Sequence, residues 1–467
     1  MMSAASALSR RAGRQRMVRR SPRSRRAHPV KAAPGPNGLA KPKKASAYDQ
    51  GFAEGYREGV QSGIGSFPAG FEGTSIIIPT FNQVDMLKQC VESIMDNTDL
   101  PYEIIVVDNA STDGTEGYLR GLGGQVRYRV LESNKGFSGA INRGMMMAKG
   151  DTVLLLNNDT LATERWLDNL LDCLRSDERI GMVGPVTNYI SGDQQIKVPY
   201  TDIKDMPAFA REYNTPNSAK WRRTDRLVGF CLLFRRSLFQ EVGYFDEGFE
   251  LGNFEDDDFN IRVRMTGRSL VVAEDTFIHH YGSVSMKALG DRFKQVNDKN
   301  EHYYMDKWPN PYESIHQVLK SLQETGQTSL DSSALFPNGV LVQGLGATPY
   351  WIEDGGRRPV EGALALPITR LSQIDLLRWP IREPISAAEV ELRYYSLSLQ
   401  DKAGFAKLQD DTYYRLEGSV ARKIISRSAV RAWNLDHRPV RLLEPEELIR
   451  CTEGLPIIAP PQLKQVL

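Results

Sequence analysis

The sequence predicts an α/β protein on a parallel sheet, flanked by a basic arm before it and a small β-rich region after it. Three observations carry this. Between residues 73 and 175, apolar runs of strand length alternate with amphipathic helical patterns, as βαβ units do. Each run stops at a polar cluster, most sharply in TVLLLNNDT (Thr152 to Thr160). Residues 1–48 hold 13 Lys and Arg and no Asp or Glu, so with the whole chain at +1 the remainder stands at −12.

Taken in order, residues 1–47 are rich in Arg, Lys and Pro and predict a disordered arm. Its charge suits an anionic polymer or membrane surface. It has no aromatic residue for base stacking, which argues against nucleic acid. Residues 48–72 form a Gly-rich helical linker in which Gly51, Gly55, Gly59 and Gly63 recur every fourth position. Thr74–Pro79 is a buried strand, and Val84, Leu87, Val91 and Ile94 mark a helix face. Glu103–Asp108 and Val126–Leu131 are the next strands. A helix opens after Asn134-Lys135-Gly136, and Val153–Leu156 is a fourth strand. The strand ends Thr80/Asn82, Asp108/Asn109, Asn134/Gly136 and Asn157–Asp159 therefore share one carboxyl edge, where α/β sheets bind ligands. A carboxylate there suits a divalent cation bridging to phosphate.

Residues 187–221 lack periodicity and read as a mobile binding segment. Arg226–Arg235 returns to strand character around Gly229, and Glu255–Asp258 precede a helix on which Asp258 and Arg262 stand at i, i+4. FIHHYGSVS places two histidines after an apolar pair. Residues 311–335 read as a linker and 336–467 as a β-rich domain with a tandem repeat. Leu341–Gly362 and Thr412–Val430 share a strand, a Gly turn, a second strand and a basic pair. The pairs Arg357-Arg358 and Arg422-Lys423 could serve an anionic glycan or simply a solvated surface. No apolar run reaches the ~18–20 residues of a membrane span. The four cysteines lack metal or disulfide spacing, which points to a reducing, cytoplasmic compartment, with the arm allowing a peripheral place at a membrane or spore surface.

SIIIPTFNQ, EIIVVDNASTDGT, NKGFSGAINRGMMMAKGD and LLLNNDT resemble the successive motifs of family 2 glycosyltransferases, over Gly73 to Trp308. Within it, the chain most resembles the bacterial rhamnosyltransferase-like branch. The resemblance implies a GT-A domain over 73–310 and an inverting, metal-dependent transferase. Its donor would be a UDP- or dTDP-sugar, and its acceptor a hydroxyl of a glycan, protein or small molecule in surface-glycan synthesis. It implies a nucleotide site of Pro79, Thr80, Asn82, Asp108, Asn109, Asn134, Gly136 and Asn158. Mn²⁺ or Mg²⁺ would sit at Asp159 with His279 or His280, His279 preferred. FEDDDFNIR resembles the family's Glu-Asp motif, which makes Asp256 the base. Glu255 would orient Asp256 or touch the acceptor, beside Gly229, Phe230 and Arg262, with Asp257 facing solvent. The rival expectation is an inactive family member binding surface glycan through its arm and repeats.

Overall fold

A computed structural model describes residues 70–282, 292–396, 403–438 and 440–464. The basic arm and nearly all of the Gly-rich stretch lie outside them. The central sheet has eight strands: β1 (Phe71–Thr80), β2 (Tyr102–Asp108), β3 (Arg127–Val130), β4 (Gly150–Leu156), β6 (Ile180–Val186), β7 (Trp221–Thr224), β8 (Cys231–Arg235) and β9 (Ser269–Phe277). A two-stranded ribbon pairs β5 (Thr160–Leu161) with β10 (His279–His280). The sheet order is β3-β2-β1-β4-β8-β6-β9-β7.

The first four strands are parallel, as expected from βαβ alternation. The second half departs from that expectation, because β8 runs antiparallel to β4 and β6, and β7 antiparallel to β9. The sheet is mixed. Strand alternation deals neighbouring residues to two cores. Ile76, Ile104 and Leu154 pack on one face with helices α1 (Val84–Asp96) and α4 (Trp166–Arg175). Ile77, Ile105 and Leu155 pack on the other with α3 (Gly136–Met147), after the short α2 (Thr115–Gly121) has returned the chain to β3. Residues 187–221 are more than a binding loop. They include α5 (Met206–Tyr213), and Asn214 Oδ1 accepts from the Phe277 amide at 2.7 Å.

After α6 (Arg236–Val242) comes α7 (Glu255–Arg264), then α8 (Arg292–Lys307) and α9 (Pro311–Thr325). The expected linker is thus a packed helix, with Ile315, Val318 and Leu322 buried. Beyond it stand two five-stranded sheets of the same pattern. Each has a three-stranded antiparallel meander flanked by two short parallel edge strands. The pairs Val342↔Tyr350 and Trp351↔Arg358 in the first recur as Ala406↔Tyr414 and Arg415↔Arg422 in the second. The tandem repeat is structural.

Its basic pairs do not make an open anionic-glycan face. Arg422 is buried and donates to the carbonyls of Leu455, Phe336 and Ala334, and Arg357 is buried against the Leu376 carbonyl. Arg358 donates to the Glu383 and Pro384 carbonyls. These guanidiniums close loops. The repeats also share a core with the first domain: Ile261 of α7 and Met265 just after it, with Trp308, pack among Ile315, Val342, Phe405 and Trp433. Among the described residues, no helix is long and apolar enough to cross a membrane.

Candidate active site

The carboxyl edge of the sheet opens into a cavity of about 670 Å³. Its walls are the ends of β1 and β4, the residues before β8, the segment Tyr189–Gln195, and the start of α7. Of the residues singled out in the sequence, Pro79, Thr80, Asn109, Asn134, Asn158, Asp159, Gly229, Phe230, Glu255, Asp256 and His280 line it.

The sheet register explains the left wall. Thr80 pairs with Asp108 across β1 and β2, so both lie at one level of the edge. Thr80 Oγ1 accepts from Asn158 Nδ2 at 2.9 Å, which ties β1 to the turn after β4. Asn109 Oδ1 accepts from the Lys135 amide at 2.7 Å and its Nδ2 donates to the Gly136 carbonyl at 3.0 Å. Asn134 Oδ1 accepts from the Gly136 amide, and Gly136 sits at φ +76°, a left-handed conformation that glycine adopts without cost. Three expected contacts are not cavity-lining here. Gly136 is buried against Leu251. Asn82 turns its Oδ1 to the Thr112 amide at 2.8 Å. Asp108 is fully buried; its Oδ1 accepts from Ser111, and its Oδ2 has no hydrogen-bond partner.

At the metal end, β10 pairs with β5 and sets His280 beside Thr160. The preference for His279 is corrected. His279 Nδ1 meets the Tyr200 hydroxyl at 2.8 Å, and burial pushes the ring down to about 4. Adjacent strand residues point to opposite faces, so only one of the two histidines can enter. His280 stacks on Phe230, and its Nδ1 lies 2.7 Å from the Tyr189 carbonyl. A carbonyl only accepts, so Nδ1 carries the hydrogen and, in the neutral ring, Nε2 offers a lone pair. Nε2 has no hydrogen-bond partner and lies 3.2 Å from Asp159 Oδ1. Two donor atoms at that separation fit adjacent positions around a six-coordinate cation with bonds of ~2.1 Å. The carbonyl behind Nδ1 is the usual outer partner of a ligating histidine. Among the described residues no cluster of three or more His, Cys, Asp and Glu gathers, so other ligands would come from substrate and water.

At the opposite end, Asp256 Oδ2 accepts from the Gly229 amide at 2.8 Å and Oδ1 from the Asp257 amide at 2.9 Å. A Cβ on Gly229 would come within 3.2 Å of the Asp256 Cβ, which accounts for a glycine inside this segment. Burial, then the Asp257 charge, raises the Asp256 carboxyl to about 6, opposed by the Arg226 guanidinium. Glu255 is pushed well above the ordinary range by burial and by Asp256, and its Oε2 has no hydrogen-bond partner. Burial and mutual repulsion thus raise the proton affinity of both neighbouring carboxyls.

One expectation fails here. Arg262 is 1% exposed, does not line the cavity, and is held by Asp258 at 2.8 Å and the Val242 carbonyl. It is an internal strut. Asp257, partly exposed, also lines the cavity and pairs with Arg226 at 2.5 Å. Sequence reasoning missed Arg226, Tyr189, Gln195 and the turn Leu251–Phe254, all of which line the cavity. That turn is strained: Leu251, Gly252, Asn253 and Phe254 have φ of +58°, +153°, +79° and +71°.

Residues 75–243 match the family model Glycosyl transferase family 2. The chain is 26% identical over 288 residues to chondroitin synthase of Pasteurella multocida, covering 53% of this chain and 29% of that one. It is 27% identical over 230 residues to the uncharacterized glycosyltransferase YwdF of Bacillus subtilis, covering 48% and 81%. Among solved structures, GalNAc-T7 with UDP, GalNAc and Mn²⁺ aligns over 55% of either chain at 17% identity and a TM-score of 0.38. The chain therefore spans under a third of the chondroitin synthase. The family match over residues 75–243 and the mixed sheet with its polar carboxyl edge give this region a GT-A-like α/β fold similar to family 2 glycosyltransferases.

Proposed function

We propose that the domain transfers a sugar from a pyrimidine nucleoside diphosphate sugar, UDP- or dTDP-linked, to an acceptor hydroxyl with inversion. The carrying observation is that Asp256 shares one cavity with the Asp159–His280 pair and with the polar ends of β1 and β4. Thr80, Asn109, Asn134 and Asn158 offer hydrogen bonds for the nucleotide half. Asp108 Oδ2, an acceptor suited to a pyrimidine imide N–H, is fully buried outside the cavity lining, so it would meet the base only on a local rearrangement of the Ser111 turn. Asp159 and His280 would hold a Mn²⁺ or Mg²⁺ ion, which when bound supplies positive charge for the leaving diphosphate.

Asp256 takes the proton from the acceptor hydroxyl as that oxygen attacks the anomeric carbon. Its elevated proton affinity keeps it a useful base near neutral pH, worth roughly 10²- to 10⁴-fold. Two backbone amides fix the carboxylate, so little reorganisation is needed. Glu255 lines the cavity beside it, with an unpartnered Oε2 placed to contact the acceptor. The relative named for chondroitin synthesis favours a glycan acceptor, and with it a role in surface polysaccharide. The test is transfer or hydrolysis from a panel of UDP- and dTDP-sugars with Mn²⁺ or Mg²⁺. Turnover that needs the cation and disappears in Asp256→Asn supports the reading. No donor consumed, with no nucleotide binding, overturns it.

A further inference from the structure

Asn300 of α8 is 1% exposed, and every polar atom of its amide is spent on one turn. Oδ1 accepts from the Glu250 amide at 2.9 Å. Nδ2 faces the carbonyls of Glu250, Gly252 and Asn253 at 2.9, 2.8 and 3.2 Å. One turn earlier on α8, Asn297 accepts from Asn253 Nδ2 at 3.1 Å. The turn so gripped is the strained run that ends at Phe254, immediately before Glu255 and Asp256. Three non-glycine residues in left-handed conformation cost on the order of 1–3 kcal/mol each and persist only where surroundings impose them.

The same turn reaches the opposite half of the cavity. The Leu251 carbonyl accepts from the Phe137 amide at 3.1 Å, at the start of α3. A Cβ on Gly136 would stand 3.1 Å from the Leu251 nitrogen. Helix α8 is itself anchored. Lys307 is buried against Asp246 and Asp258, and Asp306 pairs with Arg431 and accepts from Ser428 in the second repeat.

We infer that Asn300 is a positioning residue: by locking the 250–254 turn it sets Asp256 against the donor half of the cavity, and the repeats stiffen the helix that carries it. The inference rests on the glycosyltransferase reading for its kinetic readout. A base misplaced by about 1 Å costs on the order of 10²-fold.

The experiment compares Asn300→Ala and Asn300→Asp in the full chain, with Asn300→Ser added should Ala not fold. Aspartate has asparagine's shape but cannot donate to three carbonyls, so it should be no better than alanine. Expected are a 10- to 100-fold loss of kcat, a KM for donor within threefold of the parent, and a Tm within a few degrees. Amide exchange in 250–256 should rise at least tenfold, with the sheet strands unchanged. A kcat within twofold of the parent, an Asp variant that restores it, or exchange rising uniformly over the domain would overturn the inference. If the parent chain consumes no donor, the glycosyltransferase reading fails, while local exchange in 250–256 still decides the role of Asn300.

Discussion

Behind helix α7, Asp258 is fully buried and fully answered. It meets Arg262 and Lys307, and the Trp308 indole donates to it at 2.8 Å. These partners hold its carboxyl below the usual range despite burial. In front of the same helix, Glu255 and Asp256 are also buried, at 6% exposure each, but face an open cavity, with only backbone amides and the Arg226 charge in compensation. Two to three residues apart, one carboxylate is paired wholly inside the protein, and the other site leaves Glu255 Oε2 in the cavity wall without a hydrogen-bond partner. Buried charge that is answered holds a fold, while buried charge left open marks where chemistry takes place.

The comparison can be broken most directly at Asp256. Asp256→Asn should lower transfer about 10²- to 10⁴-fold with nucleotide binding and melting temperature nearly unchanged, read by labelled-sugar transfer and thermal shift. The mirror experiment is Asp258→Ala. It strands Lys307 and Arg262 in the interior and should cost about 3–5 kcal/mol in urea unfolding, with the surviving folded fraction active. Loss of activity without loss of stability there would erase the distinction. His280→Ala should raise the cation concentration for half-maximal activity roughly 10- to 100-fold, whereas His279→Ala should not, as read by Mn²⁺ titration.

The smallest effect is the sharpest probe. With Asp256 titrating at about 6, activity requires its ionised form, so turnover should fall as pH drops through that value. Arg226 favours the charged carboxylate, so Arg226→Gln should move the acidic limb upward by roughly one pH unit at most.

Much of the left half of the site was legible because strand periodicity and polar strand ends are local signals. Thr80, Asn109, Asn134, Asn158 and Asp159 follow from where four apolar runs stop. The choice between His279 and His280 was not local. It depends on how β10 registers with β5, over a hundred residues away in the chain. Arg262 shows a different limit, since an i, i+4 partner of Asp258 looks alike whether it faces a ligand or a core. The strained turn is written in Leu, Gly, Asn and Phe, of which only two advertise a left-handed backbone. Asn300 sits in a polar helix with nothing to distinguish it from its neighbours. The repeat was visible as a pattern, but nothing in a basic dipeptide says that its guanidiniums are spent on carbonyls.

The core joining α7 to the repeats has a practical corollary for anyone trimming this chain. A recombinant fragment ending near residue 310, where composition suggests a domain border, would strip Ile261, Met265 and Trp308 of their cover and leave an oily scar on the back of α7. It would also discard the tail that returns to Glu247, whose amide donates to the Gln462 carbonyl at 2.9 Å. Such a fragment should precipitate, and a failed assay on it would say nothing about the full chain.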